Sequence, residues 1–267
     1  MKNSKLHPAS GIYLALVMLF LYLPIIMLIV LSFNGTNSTS VIQGFSTKWY
    51  VELFKDSATI NALTNTLILA VTSAITATVI GTLAAVGIDK MKKGVVKSSV
   101  MTVTNIPMMN PEIVTGVSMM LLFVFIGSIL GASGVLGFWT LFIAHVTFSL
   151  PYVILNVLPK LRQTDSNLSQ AAQDLGSNNF TVFRKVVAPL SVPGIISGVT
   201  MVFVPSASTF LVAQYLGGPD DIMIGDVIEK IFWTDQNTGS AISLILMIFI
   251  FVFLIIMNLF GDEEAIA

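Results

Sequence analysis

The sequence predicts an all-α protein that crosses a membrane six times, and three observations carry that reading. Of 267 residues, 55% are hydrophobic and only 10% are charged, a balance that belongs to polytopic membrane proteins. The mean hydropathy is +0.88. The apolar residues fall in long unbroken blocks, each near the roughly 20 residues a helix needs to cross the hydrocarbon. Cysteine is absent, which excludes a disulfide framework, thiolate catalysis and cysteine-based zinc sites. The net charge of -1 says little, because in such a chain the placement of charges matters more than their sum.

Taken in order, the spans are Gly11 to Phe33, Leu63 to Ile88, Ser98 to Leu130, Leu136 to Leu158, Leu190 to Tyr215 and Ala241 to Phe260. The first could be read as a cleaved signal peptide, but it is too long and no small-residue cleavage site follows it. The third contains Pro107, Asn110, Pro111 and Glu112 and is expected to be one interrupted crossing. The small-residue pairs Gly127/Gly131 and Gly194/Gly198 are expected to let helices approach closely.

Orientation follows from the basic residues, which accumulate in cytoplasmic loops. One side holds Lys2, Lys5, Lys90, Lys92, Lys93, Lys97, Lys160, Arg162, Arg184 and Lys185, against Lys48, Lys55 and Lys230 on the other. Both termini are therefore expected in the cytoplasm. The last outer loop, "GGPDDIMIGDVIEKIFWTDQNTG", carries Asp220, Asp221, Asp226, Glu229 and Asp235. It is either an acidic mouth that enriches cations or a merely solvated loop.

The cytoplasmic excursion from about Lys160 to Val186 is longer than a turn between two spans requires, and loops of that length are usually functional. Asp165 or Ser166 can cap a short helix through Leu168, Ala171, Ala172 and Leu175, and Gly176 can end it in the left-handed conformation. A second short helix is expected over Asn178 to Val187, before "APLSVPGI" opens the next span. Two short helices joined at a glycine make a peg whose alanine face can enter a groove on another protein.

These residues resemble a known family. "QAAQDLG", nine intervening residues and then "VVAP" is similar to the EAA loop of the membrane subunits of bacterial ABC importers. Ala171, Ala172, Gly176 and Pro189 match its pattern, while Gln170 replaces the usual Glu, Val186 the Ile and Ala188 the Leu. "YLPIIMLIVLSFN", "GFSTKWYVELF" and "GFWTLFIAHVTFSLPYVI" resemble the C-type subunit of the spermidine/putrescine permeases, and "LGGPDDIMIG" its B-type partner. The resemblance implies a type I ABC importer permease (MetI-like) fold, with the cytoplasmic loop docking into an ATP-hydrolysing subunit through Gln170, Ala171, Ala172, Asp174, Gly176 and Arg184.

The chain shows no engine of its own. "GTLAAVG" at Gly81 to Gly87 has neither the spacing nor the lysine of a P-loop and reads as helix packing. Neither HExxH nor GxSxG occurs, and the only histidines are His7 and His145. His145, near Thr147 and Ser149 in the fourth span, is expected to make an interhelical hydrogen bond, with a ligand or proton-relay role as the other reading.

Glu112 is the most informative residue within a span. A carboxylate at mid-bilayer costs roughly 2.5 to 3.5 kcal/mol, so it should face a partner or a watery path. Pro107, Asn110 and Pro111 break the ladder just before it, and such backbone survives only inside protein or along a cavity. Glu112 and Asn110 are thus expected to line a translocation route, a paired or protonated structural acid being the other reading. By the resemblance, Glu112 would contact substrate ammonium groups. Pro205 and the following Ser206, Ser208 and Thr209 interrupt the fifth span and could line the same route, although C-type permeases tend to carry acids at the last two positions. Trp49 matches an aromatic position of that family and could equally be an interfacial anchor.

The expectation is a permease subunit of an ATP-driven importer that moves a small cationic solute by alternating access. A polyamine is the first choice; iron, thiamine or an aminophosphonate are the other solutes. No catalytic residue, metal or cofactor is assigned to this chain, ATP and Mg belonging to the partner ATPase. The implied partners are a second permease in a hetero-dimer, two ATP-binding subunits, an extracytoplasmic binding protein and the bilayer, with no nucleic acid. A secondary transporter would need an internal repeat and more buried acids, and an intramembrane enzyme a catalytic cluster; neither is visible.

Overall fold

The computed structural model describes residues 8–38, 40–163, 166–219 and 221–263. Lys2, Lys5, His7, Asp165 and Asp220, which entered the sequence reading, lie outside them. Twelve helices follow in order: α1 (Pro8–Ser32), α2 (Lys48–Lys55), α3 (Ser57–Lys90), α4 (Val95–Met109), α5 (Glu112–Leu130), α6 (Phe138–Gln163), α7 (Ser166–Asp174), α8 (Asn179–Val182), α9 (Ala188–Ala207), α10 (Leu211–Leu216), α11 (Ile224–Phe232) and α12 (Gln236–Glu263). Six stretches are long and apolar enough to span a bilayer: Ser10–Ser32, Ser57–Lys90, Glu112–Leu130, Phe138–Gln163, Asn179–Ala207 and Gln236–Gly261. The expected number of crossings is therefore present, but the third is Glu112–Leu130 alone rather than Ser98 to Leu130, the first part of that stretch forming the separate α4.

The chain divides into two compact units, residues 1–60 with 228–248, and 61–227 with 249–267. In the first, α1 is apolar on every face and almost wholly exposed, as suits a helix surrounded by lipid or by another chain. The loop after it is organised by buried Asn34. Its amide donates to Ser38 O (2.7 Å) and Val41 O (2.9 Å), and its Oδ1 accepts from Gln43 N (3.0 Å). Asp56 precedes α3 and accepts from the amides of Ala58 and Thr59, both at 3.2 Å, and from the Thr59 hydroxyl, satisfying donors that open a helix. Asp235 does the same for α12, accepting from Asn237 N at 3.1 Å and Thr238 N at 3.2 Å.

The second unit is built on the packing of α6 against α9. A Cβ at Gly194 would lie 2.8 Å from Asn156 O and 3.2 Å from Val157 Cα, and one at Gly198 would lie 3.4 Å from Val153 Cα. The Gly194/Gly198 pair thus does what its spacing implied. Gly81 of α3 approaches Val153 from another side, which bears out the packing reading of "GTLAAVG" at that glycine. Val153, Val157, Val202 and Phe203 fill this core, and Phe203 stacks on Phe253 of α12 with centroids 3.6 Å apart. A second core gathers Leu69, Leu141, Val212, Leu216 and Met223. There the Thr66 hydroxyl accepts from Ile224 N (2.8 Å), and the Asp221 carboxylate accepts from Phe138 N (2.8 Å).

Several expectations need correction. Gly127/Gly131 is no helix-crossing motif: Gly131 ends α5 at φ +67°, and Gly127 leaves room for Val135 of the loop that follows. His145 makes its hydrogen bond within its own helix, between Nδ1 and Leu141 O at 2.9 Å, and its ring lies tilted against Phe148 with centroids 4.9 Å apart. The interruption expected in the fifth span at Pro205 and the residues after it is, by contrast, present, α9 stopping at Ala207 and α10 starting only at Leu211. The helix expected over Asn178 to Val187 is not separate from the span. It begins at α8 and runs through a π-helical turn, Phe183–Val187, straight into α9. Finally, Asp221, Asp226 and Asp235 of the acidic loop each accept a backbone amide and so are more than a merely solvated run of charge.

Candidate functional site

Pro111 has no amide hydrogen and forces the residue before it out of the helical region. Asn110 accordingly sits at ψ 137°, α4 ends at Met109, and α5 begins at Glu112. The break places Glu112 at the N-terminal end of α5, where the helix dipole suits a carboxylate. Beside it opens a cavity of about 180 Å³ lined by α4, α5, α6, α9 and α10. Glu112, Asn110 and Ser208 line it, together with Thr115, Ser149 and the rings of Phe148 and Tyr152. Glu112 is the one charged residue among those lining it. A neighbouring cavity of about 270 Å³ shares Pro107, Asn110, Thr115 and Phe148 and continues along Ser118, Met119 and Leu122. The two together form an elongated slot carrying one carboxylate, several hydroxyls and two aromatic faces, groups that can hold a cation by charge, hydrogen bond and ring quadrupole.

The other expected path residues part company here. Ser208 is exposed and its hydroxyl donates to Val204 O at 3.0 Å. Ser206 and Thr209 are buried, their hydroxyl oxygens unpartnered among the described residues, and they do not line the cavity. Trp49 belongs to the other unit, where it is buried and donates its indole N–H to Asn34 O at 2.7 Å. Tyr152, Phe148 and Ser149 escaped the sequence reading. Phe148 and Tyr152 stand four apart on α6, but that helix is apolar on most sides, so their spacing does not single out a face.

The loop between α6 and α9 has its own geometry. Gly176 follows α7 at φ +85°, its amide bonds Gln173 O at 2.8 Å, and Ser177 N bonds Ala172 O at 3.0 Å. This is the paired closure by which a left-handed glycine ends a helix. Gln173 Nε2 then donates to Asn179 Oδ1 at 3.0 Å, and Asn178 caps α8 by accepting from Thr181 N at 2.8 Å. Gln170, Ala171, Asp174, Gly176 and Arg184 are exposed and Ala172 is half-buried. Leu175 and Phe180 are bare to 87% and 70%, an apolar tip on an otherwise polar peg.

Comparison with known proteins agrees with this architecture. Residues 77–262 match the family described as binding-protein-dependent transport system inner membrane component. The spermidine/putrescine transport system permease protein PotC of Escherichia coli K12 is 37% identical over 210 residues, covering 78% of this chain and 76% of that protein. The putrescine transport system permease protein PotI of the same strain is 34% identical over 200 residues, covering 75% and 71%. PotC of Haemophilus influenzae is 36% identical over 207 residues, covering 77% of each. Among solved structures, a chain of a bacterial ABC transporter that imports alginate superposes with a TM-score of 0.77 at 15% identity, covering 96% and 94%. A chain of the inward-facing MetNI methionine ABC transporter gives 0.64 at 17%, covering 77% and 95%. With six crossings, a helix broken at a carboxylate and these matches over most of its length, the chain belongs to the binding-protein-dependent inner-membrane component family, the permease subunits of ABC importers.

Proposed function

We propose that this permease conducts a polyamine, spermidine or putrescine, along the slot beside Glu112. The observation that carries the reading is the solitary carboxylate at the helix break, set in a cavity otherwise lined by hydroxyls and rings. A flexible chain with ammonium groups spaced along it can hold Glu112 with one charge while its methylenes lie along the apolar walls. The PotC and PotI relatives, named for spermidine and putrescine, support the same solute class. A second, similar permease completes the path, and two ATP-binding subunits grip the peg formed by α7, α8 and the π-helical turn. A binding protein delivers solute from outside. Closure of the ATPases draws the pegs together and opens the outer mouth, giving alternating access. Both termini and the peg lie in the cytoplasm. Membership of this family sets the secondary-transporter reading aside.

The test is uptake of radiolabelled spermidine by the complete importer in vesicles. Glu112→Gln lowers uptake about tenfold, the equivalent of about 1.4 kcal/mol of lost cation stabilisation, while the ATPase subunits co-purify as before. Unchanged uptake would remove Glu112 from the path.

A further inference from the structure

A third cavity, of about 700 Å³, opens away from the substrate slot where α3 ends, α4 begins and α6 finishes. Its lining brings together Lys93, Lys97 and Arg162 against a single acid, Asp89. That acid is engaged by Arg162, whose Nε lies 3.9 Å from Asp89 Oδ1. The Lys97 ammonium donates to Asp89 O at 3.2 Å and Met91 O at 3.3 Å, closing off the last carbonyls of α3 while facing the cleft. Lys93 has no hydrogen bond or ion pair among the described residues. The cleft therefore presents an excess of positive charge with donors to spare.

What flanks it is not polar. Met91 and Met101 form part of the wall, and the first residues of α4, Val95 and Val96, are exposed to 82% and 70%. A basic cleft beside bare valines, at the point where membrane-spanning helices end, complements an amphiphile: an anionic head at the lysines and acyl chains along the valines. We infer that the cleft binds the phosphate headgroup of an acidic phospholipid of the cytoplasmic leaflet. Arg162 offers the planar fork that suits phosphate oxygens, and Lys93 and Lys97 supply point charges. The negative surface of that leaflet concentrates such lipids around basic segments. An acidic protein surface could satisfy the charges, but it would leave Val95 and Val96 in water. The inference rests on the cytoplasmic orientation of these lysines and is independent of which solute the slot carries.

The experiment uses the complete importer, reconstituted in nanodiscs of phosphatidylcholine with a minority of phosphatidylglycerol or cardiolipin, re-extracted in mild detergent and weighed by native mass spectrometry. The wild type retains acidic lipid in preference to phosphatidylcholine. Lys93→Gln with Arg162→Gln loses it, each removed charge weakening retention about fivefold, whereas Glu112→Gln retains it in full. Lys97 is left in place because it ties the end of α3. Equal retention by the double variant overturns the inference. So does loss of the ATPase subunits with lipid retention unchanged, which would give the cleft to a protein, or stabilisation by inorganic phosphate alone with no selection among lipids.

Discussion

Glu112 was legible because a charge inside an apolar run is expensive, and the proline before it fixed where the helix must open. Tyr152 carried no such signal, since an aromatic residue in an apolar helix is as easily explained by packing. Its ring lines the slot beside Phe148 and can hold an ammonium by its quadrupole, worth about 0.5 to 2 kcal/mol. Tyr152→Leu should therefore raise the spermidine concentration for half-maximal uptake severalfold, while Tyr152→Phe, which keeps the ring, should not. If Phe is as damaging as Leu, the hydroxyl matters and the ring does not. Outside the membrane, Asp56 shows what the sequence did not: the Thr59 hydroxyl and then the amides of Ala58 and Thr59 hold its carboxyl below the usual range. A carboxylate lowered on folding adds stability above its unfolded pKa and loses it as pH falls through the folded one. Thermal unfolding in detergent should show the gap between wild type and Asp56→Asn narrowing below pH about 4; a gap that widens would contradict the capping role.

At the scale of the element, the α7–glycine–α8 peg was readable from Gly176 and the polar residues around it, because a left-handed helix end is a local requirement. At φ +85° a β-branched side chain costs on the order of 1 to 2 kcal/mol, so Gly176→Val should leave ATP hydrolysis running while transport fails. Gly176→Asn, which tolerates that region, should couple nearly normally; identical uncoupling by Asn would point away from backbone strain. The continuity of α8 with α9 was not readable. Pro189 lacks the hydrogen that would bond to Lys185, and the chain widens there into a π-helical turn closed by Ala188 N to Phe183 O. Such turns recur at functional sites. Pro189→Ala restores the donor, and relaxation to an α-helix would rotate the peg by up to about 100° relative to α9. Lower transport per ATP hydrolysed is the expected outcome, and an unchanged ratio would mean the turn is passive. Packing between elements makes a sharper demand: a side chain at Gly194 meets backbone of α6, so Gly194→Val should cost about 1 to 3 kcal/mol, read as a lower midpoint of thermal unfolding.

For the whole molecule, an even number of crossings puts both ends on one side, and the lysine and arginine distribution predicts that side to be the cytoplasm. The absence of cysteine makes this directly measurable. Ser40→Cys, in the loop after α1, should react with a membrane-impermeant maleimide from outside the cell membrane, and Leu175→Cys, at the tip of the peg, only in inverted vesicles. The reverse pattern would turn the peg away from any ATPase. The exposure of α1 on nearly all faces is what a helix covered by lipid or by another chain requires. By itself the sequence determined the number of crossings, the helix break just before Glu112 and the glycine-ended polar loop between the fourth and fifth. A bilayer imposes length and composition on each span separately, so these are local facts. Only the tertiary structure decided that the fifth crossing begins within the peg and stops at Ala207, that Ser208 reaches the slot while Ser206 and Thr209 do not, and that Phe148 and Tyr152 complete it. Those outcomes depend on which side chains of distant helices meet, and the pattern of an apolar helix carries almost no trace of its neighbours.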